Sequence, residues 1–520
     1  MRRALLAALA LVAAVACASG TNGSSGGGNT TLNVLAGSEL KDMVPILDTA
    51  KKVTGVSVNL SYTGSLDGAE KISSGTAGDA AWFASDKYVA LAGASGKVLD
   101  HRPVMLSPVI VGVKHSVAER LGWTGNKKVG WKDIAAAASA GQFHFAMTNP
   151  TASNSGFSAL VGVATALGGG QAVSVSTIDA NGLKGFFSGQ ALTSGSSGFL
   201  ADAYVSSQQR LDGIVNYESV LLGLNSGGKL RENLDLIYPN EGISTADYPL
   251  MLLNPAKRAA YEKLVTYLLR PDVQKRIERV TSRRPAVPGV PLLSRFGSSL
   301  LIEAPFPANL TIVQQLLDDY LTELRKPAHT FYVLDTSGSM EGDRIYRLKT
   351  ALTGLAGLDK SFTGHFARFA PRERVTLITF DGAVEDNRTF EIDSSDPSSS
   401  GLTDLRTYVG AIRTGGGTAI YSALDKAYSD AEAARVNEPD HYASIVLMTD
   451  GENNEGISAG DFLSHIAAVN SAEGIRVYTV LFGEASPKEL QQLADATGGK
   501  VFDARNADLS SVFKEIRGYQ

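Results

Sequence analysis

The chain has 520 residues, of which 44% are hydrophobic and 19% are charged, and its formal net charge is −5 at pH 7. This length exceeds what one hydrophobic core organises and indicates roughly three compact units. A mildly acidic chain without a basic tract gives no electrostatic basis for binding nucleic acid. The single cysteine, Cys17, excludes a disulfide framework.

Residues 1–17 have the pattern of an export signal. A basic start, Met1–Arg3, precedes the apolar run ALLAALALVAAVA, which is too short to span a bilayer as a stable helix. Cys17 and the residues before it, Ala14-Val15-Ala16, resemble the lipobox of bacterial lipoproteins, where cleavage leaves a lipid-modified N-terminal cysteine. The resemblance implies a lipid anchor at the cell membrane. An ordinary secretory leader with an incidental cysteine, and hence a secreted protein, is the alternative.

Residues 18–30 are rich in Gly and Ser and predict a flexible tether. No later segment is apolar and long enough to cross a membrane, so we expect the rest of the chain to be extracytoplasmic. Loss of the two arginines of the leader would change the net charge to −7, from 46 basic and 53 acidic residues.

Residues 31–308 repeat the order strand, polar loop, helix. The segments TLNVLAGSELKDM, VSVNLSYTGSLDGAEKI and FHFAMTNPTASNSGFSAL follow it, and SPVIVGVKHS predicts a further strand. Two helices are predicted later, in AKRAAYEKLVTYLL and DVQKRIERV. These patterns indicate an α/β module.

Several of its segments resemble the bilobal, type II solute-binding proteins of bacterial uptake systems: AGSELKDM, TGS, LSPVIVGV, TNPTASNSG, YPNEG and RPDVQKRIERVTSRRP. The resemblance implies a ligand in the cleft between two lobes, held by serine hydroxyls and helix N-termini. The positions that would fill these roles are Ser38, Ser65, Ser107, Ser155 and Gly156. Because helix N-termini favour anions, we expect a small oxyanion or an acidic metabolite.

Two questions about this module stay open at this point. Ser38 and Ser155 each precede a helical pattern, where a serine commonly only caps the helix. The acidic stretch Asn216-Tyr217-Glu218 and Glu241 would instead favour an amine or a cation in the same cleft.

Residues 309–327 predict a connecting helix. Its apolar residues share one face, and Pro327 stops it: Ile312, Leu316, Leu317, Tyr320, Leu321 and Leu324. An apolar face of this kind indicates a docked helix between two modules, as opposed to a loose linker.

Residues 328–520 alternate between strands and helices. The predicted strands are HTFYVLD, RVTLITF, SIVLMTD and RVYTVLF, and their continuous apolar runs indicate a parallel sheet covered on both faces. The predicted fold is therefore a doubly wound α/β domain. Ligands of such sheets bind beyond the carboxyl ends of the strands, where DTSGSM, TGGGT and TDGENN stand.

These clusters offer only oxygen ligands, which suit a hard cation such as Mg²⁺ and not zinc or copper. They resemble the metal-ion-dependent adhesion site of von Willebrand factor type A (VWA) domains, in which Asp-x-Ser-x-Ser is followed by a separate Thr and a separate Asp. The matching residues are Asp335, Ser337, Ser339, Thr418 and Asp450.

The resemblance implies a Rossmann-like VWA domain that holds a divalent cation, Mg²⁺ first and Mn²⁺ or Ca²⁺ as alternatives. Hydroxyl ligands are neutral, so the cation keeps much of its charge and attracts a carboxylate from a partner protein. Two alternatives remain. The hydroxyls could be helix caps with Asp335 a turn residue, or the metal could be purely structural.

Three functions compete at this stage. The sequence favours a lipid-anchored extracytoplasmic binding protein, in which a solute-binding-like module is joined to a metal-dependent protein-binding domain. The second is a receptor that delivers a small anion or metabolite to an ABC-type permease, with the VWA domain as a docking domain. A hydrolytic enzyme is disfavoured, because the seven histidines form no HExxH, metal pair or triad spacing.

Overall fold

The computed structural model describes residues 30–297, 301–307, 309–469 and 474–520. The predicted leader, Cys17 and the tether up to residue 29 lie outside the described residues. Within those described ranges, no helix has the length and apolar character needed to cross a membrane.

The N-terminal region contains two lobes of sheet and helix. Its strands are β1 (Thr30–Ala36), β2 (Val56–Tyr62), β3 (Ala80–Trp82), β4 (Asp100–Pro103), β5 (Met105–Lys114), β6 (Phe145–Thr148), β7 (Gln190–Ser194), β8 (Gly213–Tyr217), β9 (Leu234–Ile237), β10 (Thr245–Ala246), β11 (Pro249–Leu252) and β12 (Arg284–Pro285). Its helices are α1 (Val44–Thr54), α2 (Ser65–Ser74), α3 (Lys87–Leu91), α4 (His115–Arg120), α5 (Trp131–Ser139), α6 (Asn154–Leu167), α7 (Ala180–Ser188), α8 (Ser197–Ser207), α9 (Glu218–Ser226), α10 (Arg258–Leu268) and α11 (Pro271–Thr281). Short 3-10 turns occupy Ser38–Met43, Ser95–Lys97, Val175–Thr177 and Pro255–Lys257.

Two sheets define the lobes. The sheet of the first lobe has the order β2-β1-β3-β11-β4, and the sheet of the second has the order β10-β5-β8-β6-β7, with β9 and β12 also paired to β5. The chain passes between the lobes from β4 to β5 and returns from β10 to β11. The chain crosses once more after α11, where β12 pairs with β5, so a cleft separates two lobes that are each built from separate stretches of sequence.

The connecting segment is helical and docked. Helix α12 (Leu310–Asp319) is capped by the Asn309 side chain, which accepts a hydrogen bond from Ile312 N at 3.1 Å, and it continues as a π-helical turn, Tyr320–Leu324. The apolar face predicted from the sequence is buried in the same core as the two lobes. The ring of Tyr320 packs edge-on against Phe187 of α7 at a centroid distance of 5.0 Å.

The C-terminal region is a doubly wound sheet. Its strands are β13 (Ala328–Asp335), β14 (Arg374–Phe380), β15 (Val384–Glu391), β16 (Tyr442–Thr449), β17 (Arg476–Leu481) and β18 (Val501–Asp503). Its helices are α13 (Asp343–Thr353), α14 (Phe362–Ala367), α15 (Ser400–Ala411), α16 (Ile420–Asn437), α17 (Ala459–Val469), α18 (Pro487–Thr497) and α19 (Leu509–Arg517), with a 3-10 turn at Gly338–Met340 and a π-helical turn at Gly354–Leu358.

The strand order of this sheet is β15-β14-β13-β16-β17-β18, and only the β14–β15 pair within it is antiparallel. Helices cover both faces and bury two separate apolar cores. The central strands β13 and β16 are buried along almost their whole length because they lie between these two cores.

A buried ion cluster joins the connecting segment to the last helix. Both carboxylate oxygens of Glu373 accept hydrogen bonds from Arg517 Nη2, at 2.8 and 2.7 Å, and Arg325 Nη2 binds the same carboxylate. Glu373 is 2% exposed. Burial opposes its ionisation, but the guanidinium groups of Arg517 and Arg325 outweigh it and hold the pKa of Glu373 below its ordinary value.

We expect Glu373→Gln to destabilise the C-terminal region by about 3–5 kcal/mol, because it leaves two buried guanidinium groups without their counter-charge. A carboxyl whose folded pKa is depressed stabilises the fold above its unfolded pKa and loses that contribution as the pH falls through its folded pKa. The difference in thermal midpoint between wild type and variant should therefore reach its largest value above about pH 4.5. It should shrink to zero in more acidic solution, where Glu373 is protonated.

Glu391→Gln is the matched control for this measurement. Its side chain is 74% exposed and pairs with Arg374 at 2.9 Å. Exposed ion pairs contribute little, so this variant should unfold like wild type at every pH. Equal midpoints for the two variants would contradict the role given to Glu373.

Candidate metal and solute sites

The carboxyl ends of β13 and β16 bring the predicted metal residues to one edge of the sheet. These strands are parallel neighbours, with Leu334 paired to Met448. Asp335 is the last residue of β13, and Asp450 follows directly after β16. Both aspartates are at most 1% exposed, so their carboxylates lie in a partly dehydrated pocket.

Four of the five predicted residues form one hydrogen-bonded chain. Ser337 N donates to Asp335 Oδ1 at 2.8 Å. The hydroxyls of Ser337 and Ser339 are 3.0 Å apart, and Ser339 Oγ donates to Asp450 Oδ1 at 2.8 Å. The hydroxyls in this cluster bond to each other and to carboxylates, and none of these bonds is a helix cap.

The fifth residue, Thr418, lies in an adjoining loop. Gly415 N donates to Thr336 O at 2.9 Å, and Gly338 N donates to Gly416 O at 3.3 Å, so the loop before Thr418 packs against the DTSGSM loop. Thr418 is 5% exposed. Hydrogen bonds of the two loops therefore place it beside the other four residues.

Asn454 is a supporting residue that the sequence reasoning missed. Its side-chain Oδ1 accepts a hydrogen bond from Thr418 N at 2.8 Å, and its own N–H donates to Thr418 O at 3.0 Å. It stands in the TDGENN cluster, so a search for amides near the predicted ligands would have found it.

Arg344, near the start of α13, is a second residue that the sequence reasoning missed. Its Nη1 forms an ion pair with Asp450 Oδ2, and its Nη2 lies 4.0 Å from Glu484 Oε1. Asp335 has no ion-pair partner among the described residues. Burial raises the pKa of Asp335, and the nearby Asp450 carboxylate adds to the rise, so the edge of the sheet attracts positive charge.

The donor set fits a hard divalent cation. Two carboxylates and up to three hydroxyls supply only oxygen, the ligand that Mg²⁺ and Ca²⁺ prefer. Nowhere in the described ranges do three or more His, Cys, Asp or Glu side chains cluster as a metal site, so a site with thiolate or imidazole ligands has no candidate there. Asp335, Ser337, Ser339, Thr418 and Asp450 are the residues that would hold the ion.

The cleft between the two lobes is closed to contact distance at several points. Tyr88 OH of the first lobe donates to Pro150 O of the second. A Cβ added at Gly64 would lie 3.3 Å from Ala152 O, and a Cβ added at Gly198 would lie 3.7 Å from Ser38 Oγ. Ser38 therefore faces the second lobe across the cleft.

The predicted serines are not all brought together. Ser155 is fully buried in a hydroxyl cluster, 2.8 Å from Thr148 Oγ1 and 2.8 Å from Ser197 Oγ. Ser107 is also fully buried but contacts Ser219 at the start of α9, where its hydroxyl accepts from Ser219 N at 3.1 Å. Ser65 is the first residue of α2 and is partly exposed at the cleft.

Helix starts at the cleft carry no side-chain caps. The residues before the Ser38–Met43 turn, α2, α6 and α8 make no side-chain capping hydrogen bond: Gly37, Gly64, Ser153 and Ser196. Neither Ser38 nor Ser155 is itself an N-cap. The uncapped N–H groups at the starts of α2, α6 and α8 favour an anion, whereas the Glu39 carboxylate already lies beside Gly37 at the start of the Ser38–Met43 turn.

The acidic and amide residues that the sequence placed near this cleft all have hydrogen-bond or ion-pair partners within the protein. Glu218 is fully buried and binds Arg284 Nε and Nη2, each at 2.7 Å. Glu241 accepts hydrogen bonds from Trp131 N and Lys132 N at the start of α5. Asn216 Nδ2 donates to Ser197 O at 3.0 Å and supports α8.

A cavity of about 580 Å³ lies where the C-terminal region meets the mouth of the cleft, and we call it the interdomain cavity. Residues of the first lobe, the second lobe and the C-terminal region line it. Ser38 is the one predicted solute residue in its wall, and Gly64, next to Ser65, also lines it.

Comparison with known proteins shows two separate similarities. Residues 32–280 match the family of bacterial extracellular solute-binding proteins, and residues 331–515 match the von Willebrand factor type A domain. The chain is a solute-binding domain followed by a VWA domain. The predicted fold class, a bilobal module and then a doubly wound domain, is confirmed.

Solved structures similar to the solute-binding domain include a ferric binding protein from Campylobacter jejuni, with a TM-score of 0.44 and 15% identity over 55% of this chain and 98% of that one. The sulfate-binding protein SubI from Mycobacterium tuberculosis H37Rv has a TM-score of 0.40 and 19% identity over 50% of this chain and 88% of that one.

Curated relatives match part of the chain. Calcium-activated chloride channel regulator 3A-1 of Mus musculus is 31% identical over 183 residues, which are 35% of this chain and 18% of the mouse protein. The Synechocystis protein sll0103 is 28% identical over 201 residues, 38% of this chain and 42% of that protein. The chain thus spans less than half the length of either relative.

Gly156 gives a prediction about packing at the start of α6. A Cβ added at Gly156 would lie 2.2 Å from Thr148 O, too close for any side chain. We expect Gly156→Ala to destabilise the solute-binding domain by about 1–3 kcal/mol in chemical unfolding, because backbone must move. Gly223→Ala on α9 is the control, since a Cβ there meets nothing within 4 Å, and it should be neutral or stabilising. Equal losses in both variants would contradict this reading of Gly156.

Proposed function

We propose that the protein is an extracytoplasmic binding protein, held at the membrane through a lipidated Cys17, whose VWA domain binds a divalent cation. The hydrogen-bonded chain from Asp335 through Ser337 and Ser339 to Asp450 carries this proposal. Mg²⁺ is the first candidate for the ion. A cation held largely by neutral hydroxyls retains charge with which it attracts a carboxylate of a partner protein.

The residues of the chain have distinct parts in this function. The two serine hydroxyls and Thr418 supply neutral ligands, while Asp335 and Asp450 supply the negative charge that retains the ion. The Arg344 guanidinium forms an ion pair with Asp450, so a divalent cation would compete with Arg344 for that carboxylate. No catalytic step is proposed, since the family matches of both domains are to binding modules.

The test is Mn²⁺ binding to the mature protein, measured by electron paramagnetic resonance. Ser337→Ala and Thr418→Ala should weaken binding at least about tenfold, which corresponds to ~1.4 kcal/mol for each lost ligand. Arg344→Gln should strengthen it, because the competing cation is gone. Ser464→Ala, an exposed serine on α17, should leave the affinity unchanged.

Capture of a protein partner should be lost in the Asp335→Ala variant and when the divalent cation is removed by a chelator. Capture that survives both changes would rule out metal-dependent binding of the partner.

A second candidate function is a receptor that delivers a small anion or metabolite to a permease, with the VWA domain as a docking domain. The observation that favours it is the set of uncapped helix starts at the cleft of the solute-binding domain. Helix N-termini of this kind bind phosphate, sulfate and carboxylate groups.

This candidate predicts that anions stabilise the mature protein. An anion present at about a hundred times its dissociation constant should add ~2.7 kcal/mol to the free energy of unfolding of the solute-binding domain and raise the temperature at which that domain unfolds. Sugars and neutral amino acids of similar size are the controls and should leave the midpoint unchanged. A panel of oxyanions, sugars and amino acids that gives neither heat nor stabilisation would exclude the receptor.

A further inference from the structure

The described chain begins at one edge of the sheet of the first lobe. Thr30 is the first residue of β1, and its N–H donates to the carbonyl of Gly55, directly before β2, at 3.2 Å. Strands β2 and β3 are parallel to β1, and β4 runs in the same direction because β11 is antiparallel to both β3 and β4. All four strands therefore start at this edge, which we call the amino edge.

Two connections bring lysines to the amino edge. Helix α1 ends directly before β2, so Lys51 and Lys52 in its last turn lie beside the start of that strand. Leu99 precedes β4, and its N–H donates to Leu252 O, at the end of β11, at 2.8 Å. Lys97 stands two residues before Leu99, in the Ser95–Lys97 turn. Segments that are far apart in the chain thus share one edge of the sheet.

Basic side chains outnumber acidic ones at the amino edge. Asp79, directly before β3, lies 3.9 Å from Lys257 Nζ, and Asp100, at the start of β4, lies 3.9 Å from Arg258 Nη1. Arg258 also lies 3.8 Å from Glu262 Oε1. Three further lysines are exposed and form no ion pair among the described residues: Lys51, Lys52 and Lys97. The edge therefore carries positive charge that the protein itself leaves unpaired.

Apolar side chains are exposed beside these lysines. Val53 follows Lys52 at the end of α1 and is 58% exposed, and Leu99 is 43% exposed. Lysines together with exposed apolar residues are typical of protein surfaces that lie at the boundary between lipid headgroups and acyl chains. Charge and apolar character at the amino edge both fit a bilayer that contains anionic lipids.

The length of the chain before Thr30 sets the distance between this edge and the anchor. Cys17, the predicted site of lipidation, is followed by residues 18–29, which are rich in Gly and Ser. A segment of that length reaches at most about 43 Å when fully extended. As a Gly/Ser-rich coil it spans about 20 Å on average. The anchor therefore attaches at the amino edge and holds that edge near the bilayer.

We propose that the amino edge of the first lobe binds the anionic headgroups of the bilayer in which the lipid on Cys17 is anchored. Each lysine near an anionic bilayer favours contact about fivefold, so the three unpaired lysines together favour it about 100-fold. This inference rests on the lipid anchor of the proposed function, and it names a second contact of the protein with the same membrane.

Contact at the amino edge orients the solute-binding domain. Ser38 and Gly64 follow the opposite, carboxyl ends of β1 and β2 and lie at the cleft. Strand β1 has seven residues and spans about 20 Å between these two edges. The cleft then opens on the side of the first lobe that faces away from the bilayer, and a solute enters it from the extracytoplasmic medium.

The experiment measures how fast single lysines are acetylated on the mature chain coupled to vesicles. Cys17, the only cysteine, is coupled through its thiol to a maleimide-headgroup lipid. The vesicles contain phosphatidylcholine alone or equal parts of phosphatidylcholine and phosphatidylglycerol, and mass spectrometry reads each lysine. Lys51, Lys52 and Lys97 should react at least about fivefold more slowly on the anionic vesicles than on the neutral ones. Because salt screens such contacts, about 1 M salt should abolish the difference.

Three exposed lysines of the second lobe are the internal control, and their rates should differ by less than about twofold between the vesicles: Lys127, Lys128 and Lys132. A double variant, Lys51→Gln with Lys52→Gln, should reduce the slowing at Lys97 by at least about half, because most of the attraction is lost. Lys127→Gln with Lys128→Gln changes the net charge equally and should keep the slowing at Lys97 unchanged.

Equal slowing of all six lysines, slowing on neutral vesicles as well, or no slowing at all would overturn the membrane-facing edge. Each of these results would leave the lipid anchor and the metal site intact. The anchor is tested separately by the mass of the N-terminal peptide of the protein isolated from bacterial membranes. A Cys17 that carries no lipid there would overturn the anchor and this inference with it.

Discussion

The arrangement of the whole molecule depends on one buried carboxylate, Glu373, and the two guanidinium groups that neutralise it. Arg325 ends the connecting helix, and Arg517 belongs to the last helix of the VWA domain. Ionic groups at this depth are stable only when paired, so neither helix can shift without exposing an uncompensated charge. Tyr519 follows Arg517 by two residues and lines the interdomain cavity. The ion cluster therefore fixes one wall of the interdomain cavity as well as the position of the VWA domain on the connecting helix.

The two candidate sites use neutral groups for opposite purposes. At the sheet edge, serine and threonine hydroxyls surround two carboxylates, which suits a cation that is held without being fully neutralised. At the cleft, uncapped N–H groups of helix starts face a cavity, which suits an anion. Arg344 links the first site to the surrounding charges, because its guanidinium pairs with the Asp450 carboxylate. Since the sites lie on different elements, one chain can bind both kinds of ligand.

The sequence predicted most where function follows local chain order. RVTLITF matches β14, and the residues after β13 and β16 meet because parallel neighbouring strands end at the same edge. Strand β15 was missed because its side chains are mostly exposed and polar, with Phe390 as its one buried residue. The spread of the solute serines was beyond prediction, since it depends on how distant segments pack. The stretch GSSG lies between β7 and α8, in the same strand, loop and helix order as the predicted serine positions. That order would have indicated Ser196 and Ser197 as further residues at a helix start.

The central claim is that the carboxyl edge of the VWA sheet holds a divalent cation. The most direct measurement is an anomalous difference map from crystals of the mature protein grown with Mn²⁺. We expect a single strong peak within ligand distance of the Ser337 and Ser339 hydroxyls, with the Arg344 side chain turned away from Asp450. A map with no peak at that edge in crystals that contain Mn²⁺, or with Arg344 still paired to Asp450 beside an ion bound elsewhere, would contradict the account.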